Sequence, residues 1–187
     1  VPDDFAAGRT THALAAFNRT HPQVKLEVTC GLSRDVSAAY DRGELDLVLI
    51  KQRRDSREAV VRWPEKLRWI DSAKHPSIDL DPVPIVVFPP RGLYREDMIK
   101  AIEERGRRWR ISFTTSSLSG IQAAVADGLG ISVLPARVVT DEHTVLTAKQ
   151  GFAPIEHMDI AILHRPTADP MVSVLTKTLA AMLEHEE

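Results

Sequence analysis

The hydrophobic pattern along this chain switches between two periods, and each switch marks an element. After Asp3 and Asp4 the spacing predicts a helix that turns Leu14 and Phe17 inward. It stops before Pro22, because the residue ahead of a proline avoids helical backbone. Residues 24–30 alternate strictly, with Val24, Leu26, Val28 and Cys30 on one side, the pattern of a half-buried strand. Gly31, Leu32 and Ser33 turn the chain into a helix ending near Gly43. Residues 45–50 form a mostly apolar run, as in a strand covered on both faces. Residues 51–60 read as an exposed charged loop.

Further along, residues 67–70 predict a strand leading out of a first lobe, and 74–84, with Pro76, Pro82 and Pro84, a crossover. A buried strand over 83–88 is stopped by Pro89 and Pro90. A helix over 95–105 and a strand over 110–114 follow. The helix after Ser117 places Leu118, Ile121, Val125 and Leu129 at spacings of three and four, on one buried face. Strands over 131–134 and 159–164 come next, then a last helix presenting Met171, Val174, Leu175, Thr178, Leu179 and Met182. Strands separated by helices predict an α/β fold with largely parallel sheets. No internal repeat or low-complexity tract interrupts the pattern.

Composition narrows the partners. At 187 residues the chain can form one large domain or two small lobes. A net charge of −2 argues against a surface built to neutralise phosphates, and so against nucleic-acid binding by this chain alone. The single cysteine, Cys30, rules out an internal disulfide and fits a reducing compartment. No apolar run approaches the roughly 18 residues of a membrane span, and no charged-then-apolar leader opens the chain. These features predict a cytoplasmic protein with no membrane partner.

In open α/β sheets, ligands bind beyond the carboxyl ends of strands, where the next helices offer unpaired N–H groups. The turns in that position are 2–5, 31–33, 51–52, 89–91 and 114–118. Asp3 and Asp4 stand at a helix start, where one of them caps it, while the other selects a cationic, amine-bearing or polyhydroxyl ligand. Lys51 either offsets those carboxylates or is a solvated loop lysine. Ser33, Ser116 and Ser117 suit both capping and hydroxyl donation to a ligand. The polar run 114–117 is denser than one cap needs, which favours ligand contact there.

Other features have plainer readings. Gly128 suits a left-handed helix end and Gly130 a tight turn; their Gly-x-Gly follows a helix, unlike a dinucleotide fingerprint. Cys30 reads as a small core residue, with a redox-sensing thiol as the other reading. Arg105, Arg107, Arg108 and Arg110 around Trp109 read as a solvated helix end and strand start rather than a nucleic-acid patch. The seven histidines form no metal-ligand motif, and no nucleophile elbow or phosphate loop is present. No metal, cofactor or catalytic group is expected, so the chain reads as a binding module and not an enzyme.

Three stretches share one family's order and spacing. They are the run 117–135 (SLSGIQAAVADGLGISVLP), the opening VPDDF with a helix ending in NRTHP at 18–22, and GELDLVLI at 43–50. Together they resemble the effector-binding domain of LysR-type transcriptional regulators. The resemblance implies two Rossmann-like lobes with a ligand cleft between them, like periplasmic binding proteins. Lobe I would span about 1–71 and 141–187, and lobe II about 72–140. The family's N-terminal winged helix-turn-helix and linker helix are not in this sequence, and the chain reads as a regulatory domain.

On that resemblance the ligand-binding residues are Asp3, Asp4, Phe5, Ser33, Lys51, Pro90, Arg91, Thr115, Ser116, Ser117 and Leu118. Many members carry a hydroxyl residue where this chain has Asp3 and Asp4, so the paired carboxylates are a departure. The implied partners are a small-molecule effector, a second copy in a homodimer, further copies in a full-length tetramer, and DNA through the other domain. The alternative is a solute-binding protein of a transport system with the same fold.

Overall fold

A computed structural model describes residues 1–5, 9–90, 92–153, 155, 158–166 and 168–184. In chain order the elements begin with α1 (Arg9–Thr20), α2 (Ser33–Asp41), β1 (Leu47–Arg53), β2 (Val61–Pro64), β3 (Leu67–Ser72) and β4 (Val83–Val87). They continue with α3 (Arg95–Glu103), β5 (Trp109–Thr114), α4 (Leu118–Ala126), β6 (Ser132–Pro135), β7 (His143–Val145), β8 (Met158–His164) and α5 (Pro170–Glu184). Two compact units result: Val1–Pro64 with His157–Glu187, and Glu65–Glu156. The breaks fall at 64/65 and 156/157, against the 71/72 and 140/141 read from the sequence. β3 belongs to the second unit because both of its ladder partners, β6 and β7, lie there.

In the first unit, β8 is the central strand and pairs antiparallel with β1 and β2. Side chains of a strand alternate between its faces, so β1 and β8 feed two cores. Leu49, Ile160 and Ile162 pack with Phe5 and with Leu179, Met182 and Leu183 of α5. Val48, Ile50, Ala161 and Leu163 pack with Val36 and Tyr40 of α2 on the other side. Tyr40 is also flanked by the Arg57 and Arg165 guanidiniums, 5.3 and 4.9 Å from its ring. Arg57 reaches Asp41 at 2.7 Å and Arg165 donates to the Tyr40 carbonyl at 2.7 Å.

Two sequence expectations fail in this unit. The alternating segment 24–30 forms no strand, and its outer end is tied only to Val1 among the described bonds. There the Val1 amine donates to Thr29 O (2.8 Å) and the Gly31 N–H to Val1 O (3.1 Å). Without ladder partners the apolar side is not covered: Val28 is 46% exposed and Cys30 is exposed, so Cys30 is not a core residue. The charged stretch beginning at Lys51 is not all loop either. β1 runs through Lys51, Gln52 and Arg53, which register against Ile160, Asp159 and Met158, and Lys51 and Gln52 are buried.

In the second unit, β3 pairs antiparallel with β6 and β7, while β4 and β5 run parallel. Among the described residues the expected parallel character therefore holds only for β4–β5 and the isolated Ile85–Ile131 bridge. Helix–strand alternation gives the order of elements but says nothing of strand direction. α4 packs Ile121, Ala124 and Val125 onto Ile70, Val86 and Leu134. It ends in a left-handed turn at Gly128 (φ +80°), where Leu129 N–H reaches Ala124 O at 2.9 Å. Leu129 thereby leaves the helix and is 46% exposed, contrary to the face read from the sequence. At Gly130 a Cβ would come within 2.5 Å of the Pro84 carbonyl, which Ile131 N–H needs as acceptor.

Three of the arginines around Trp109, namely Arg105, Arg107 and Arg108, are bonded within the fold. Arg107 donates to Leu80 O at 2.9 Å, and Arg108 pairs with Asp81 at 2.7 Å, holding that carboxyl below its usual range. Arg105 donates to Gly151 O and lies 5.2 Å from the Phe152 ring, which in turn meets Trp69 edge-on at 4.9 Å. His143 is buried and accepts the Thr140 N–H at Nδ1 (3.2 Å). Its proton therefore sits on Nε2, facing the Gln122 carbonyl of α4 at 3.0 Å.

Candidate functional site

The first unit assembles four of the expected residues. Phe5 N–H bonds back to Pro2 O at 3.0 Å, closing a single tight turn over Asp3–Phe5. The Phe5 ring is 2% exposed and anchors that turn in the core. Asp3 stays exposed, and Asp4 is half-buried. Asp3 and Asp4 belong to this turn, ahead of α1 at Arg9, and residues 6–8 between them lie outside the described residues.

Lys51 is the centre of the group. Its Nζ pairs with Asp4 Oδ2 at 2.5 Å, and the two side chains are only 6% and 8% exposed. The ammonium also lies 5.7 Å from the Phe5 ring centroid. Lys51 backbone N–H donates to Ser33 Oγ at 3.0 Å. Ser33 is thus the first residue of α2 and not its cap: the capping position is Leu32, which makes no side-chain bond. One Ser33 lone pair is spent on β1, which leaves the hydroxyl hydrogen to be donated. The solvated-loop reading of Lys51 is overturned. The site does not present Asp4 as an unopposed carboxylate either, because the Lys51 charge neutralises it.

Removing two charges from water costs several kcal/mol per ion, by roughly what their mutual attraction returns. Such a pair is a poor way to gain stability. It joins the Asp3–Phe5 turn to β1, beside Ser33 at the start of α2.

The second unit holds Thr115, Ser116, Ser117 and Leu118 in one turn after β5. Ser117 caps α4 by accepting Gly120 N–H at 3.3 Å, and its hydroxyl meets Ser119 Oγ at 2.8 Å. Thr115 Oγ1 accepts Ser117 N–H at 3.2 Å. Ser116 is exposed, and Leu118 packs partly into the α4 core. Pro90 is exposed beyond β4; Arg91 lies outside the described residues. Among the described residues there is no cluster able to hold a metal ion, and no helix is long and apolar enough to cross a membrane.

Several buried polar groups were not singled out in the sequence, Gln52 and Asp71 among them. Gln52 donates to Arg57 O at 2.9 Å. Asp71, 1% exposed, accepts the N–H groups of Ser72, Ser77 and Ile78. An Asp-Ser pair closing a strand is the turn signal that could have flagged Asp71.

The sequence model of the LysR substrate binding domain matches residues 1–184. The chain belongs to that family. The HTH-type transcriptional regulator DgdR of Burkholderia cepacia is 25% identical over 161 residues, 86% of this chain and 55% of DgdR. The regulator PecT of Dickeya dadantii is 24% identical over 182 residues, 97% of this chain and 57% of PecT. The LysR-type chain thus spans about half the length of these curated relatives.

Among solved structures, the effector binding domain of QuiR in complex with shikimate aligns with a TM-score of 0.73 at 12% identity, covering 98% of this chain and 95% of that one. The BenM effector binding domain with its effector benzoate aligns at 0.67 and 16% identity, covering 98% and 89%. These likenesses establish the two-lobe α/β fold of LysR effector-binding domains, of the type 2 periplasmic-binding class. DgdR and PecT are transcriptional regulators, and LysR family membership sets the transport reading aside.

Proposed function

We propose that this LysR-type domain senses a small effector through Asp4, Ser33 and Lys51, and relays its occupancy to a DNA-binding region elsewhere in the full protein. It acts in the cytoplasm, as a homodimer of the domain and a tetramer at full length, and it binds its ligand without transforming it. The observation that carries this reading is the buried Asp4–Lys51 pair, held at 2.5 Å beside the hydroxyl of Ser33 at the start of α2. To act as a switch the effector must favour one conformation of the domain; equal affinity for two would shift nothing. Ser116 and Ser117 in the second unit are proposed as separate contacts.

A thermal-shift screen against amines, amino acids, polyols and small carboxylates tests the proposal. At a hundredfold excess over Kd, a ligand of the folded state adds about 2.7 kcal/mol of stability. We expect one class to raise Tm, the shift to shrink in Ser33→Ala, and the ligand to be recovered chemically unchanged. A hit that stabilises Ser33→Ala as strongly as the parent, or no hit in any class, contradicts the proposal.

A further inference from the structure

We infer that β1 and β8 hold a second, internal site on their α2-facing side, where Gln52 and Asp159 take a small hydrogen-bond donor, a water molecule or an ammonium ion. The site is separate from the effector reading, because successive side chains of a strand point to opposite faces. Gln52 shares the side of Val48 and Ile50, which pack against Val36 and Tyr40 of α2, away from Lys51. It is 6% exposed, and its Oε1 has no hydrogen-bond partner among the described residues. Turning the amide over does not cure this. Nε2 donates to Arg57 O at 2.9 Å, and a reversed amide would set two acceptors face to face. Buried polar atoms are nearly always satisfied, so an exception marks a place where a solvent molecule or ion belongs.

Asp159 stands directly opposite Gln52 in the β1–β8 register and shares its face with Ala161 and Leu163. It is 3% exposed. Its carboxylate accepts from Arg54 Nε at 3.4 Å, a long contact, and a carboxylate has about four lone-pair positions to fill. Opposed residues of an antiparallel pair have Cβ atoms about 4.5–5.5 Å apart. Two acceptors at roughly that spacing repel each other and attract a donor between them. One atom carrying two or more hydrogens, with bonds of about 2.8–3.0 Å, spans such a gap. Larger ligands are excluded, because Val36, Tyr40, Val48, Ile50, Ala161 and Leu163, each at most 6% exposed, fill the rest of that face. The bound donor also steadies α2. It fixes the Gln52 amide, which holds the Arg57 carbonyl, and Arg57 reaches Ser37 Oγ at 3.2 Å and Asp41 at 2.7 Å.

High-resolution crystal structures of the domain grown in sodium and in ammonium salts test this. Both are expected to show one density peak within about 2.7–3.2 Å of Gln52 Oε1 and of an Asp159 carboxylate oxygen. Gln52→Met, which keeps the length of the side chain and removes its amide, should lose that peak. Melting curves in ammonium chloride and sodium chloride at equal ionic strength name the occupant. A higher Tm in ammonium, absent from Gln52→Met, assigns an ammonium ion. Equal values, or a rise shared by the variant, assign water while the peak stands. Either result supports the site. No peak between the two side chains in the parent, or a peak unchanged in Gln52→Met, overturns the inference. The parent structures decide whether the site exists, so a variant that fails to fold does not remove the test.

Discussion

Asp71→Ala is expected to cost about 4 kcal/mol, because it orphans three backbone donors at roughly 1–3 kcal/mol each, less what solvent can recover. Oδ1 accepts Ser72 N–H at 2.8 Å and Ser77 N–H at 2.9 Å, and Oδ2 accepts Ser77 and Ile78 N–H at 2.9 Å each. Ser72 and Ser77 are each 1% exposed, so water has little access to the freed groups. The loop this carboxylate organises is in turn bonded to the end of α4. Ser72 Oγ donates to Ala126 O at 2.6 Å, and Ser77 Oγ to Gly128 O at 3.0 Å. Urea unfolding, followed through tryptophan fluorescence, measures the loss, since Trp69 is 2% exposed on the same strand. Tm should fall by roughly 10 °C. Asp71→Asn, which turns an amide N–H₂ toward an N–H, should cost about half as much. A change below about 1 kcal/mol for alanine would show that the loop is held by other contacts.

Lys51→Met should cost about 3–5 kcal/mol, the penalty for leaving one member of a buried pair without the other. The methionine keeps the length and apolar stem of the lysine, so the loss reports the missing Lys51 charge beside Asp4 more than a cavity. The double variant Asp4→Asn with Lys51→Met should recover most of that stability. A double-mutant cycle on urea midpoints then gives a coupling of about 2 kcal/mol or more between the two positions. Additive losses would mean that the pair is not coupled. Because the pair costs the fold about as much as it returns, a near-parental double variant that no longer recognises ligand is the combination that assigns it to recognition.

Much of the fold was legible because buried strands and amphipathic helices carry their period in the chain. β4 and β8 are apolar runs, and α4 shows Ile121 and Val125 at helical spacing. What failed was decided by partners far away in sequence. The alternation at 24–30 is real, but a strand needs a ladder and the described residues supply little of one. β2 and β7 are only four and three residues long and mix polar with apolar positions.

The candidate site was half-legible in the same sense. Asp4, Ser33 and Lys51 were each recognisable as residues at strand-to-helix turns. The resemblance put their turns on one lobe and Lys51 could be read as offsetting the carboxylates, but the direct Asp4 bond, across 47 positions, and the Ser33 bond, across 18, were not legible. The charged residues after Lys51 kept a solvated loop lysine open beside the reading in which it offsets the carboxylates. Only the register with β8 and the neutralising Asp4 explain its burial.

The most direct test of the account is a proton–nitrogen correlation spectrum of the labelled domain, recorded with and without the effector found by the thermal-shift screen. The Lys51 amide reports the site from inside, because it donates to Ser33 Oγ. The account predicts that Lys51, Ser33 and Phe5 are among the amides that move most on titration. If those three stay in place while large shifts fall elsewhere, on α3 for example, the effector does not bind where Asp4 and Lys51 meet.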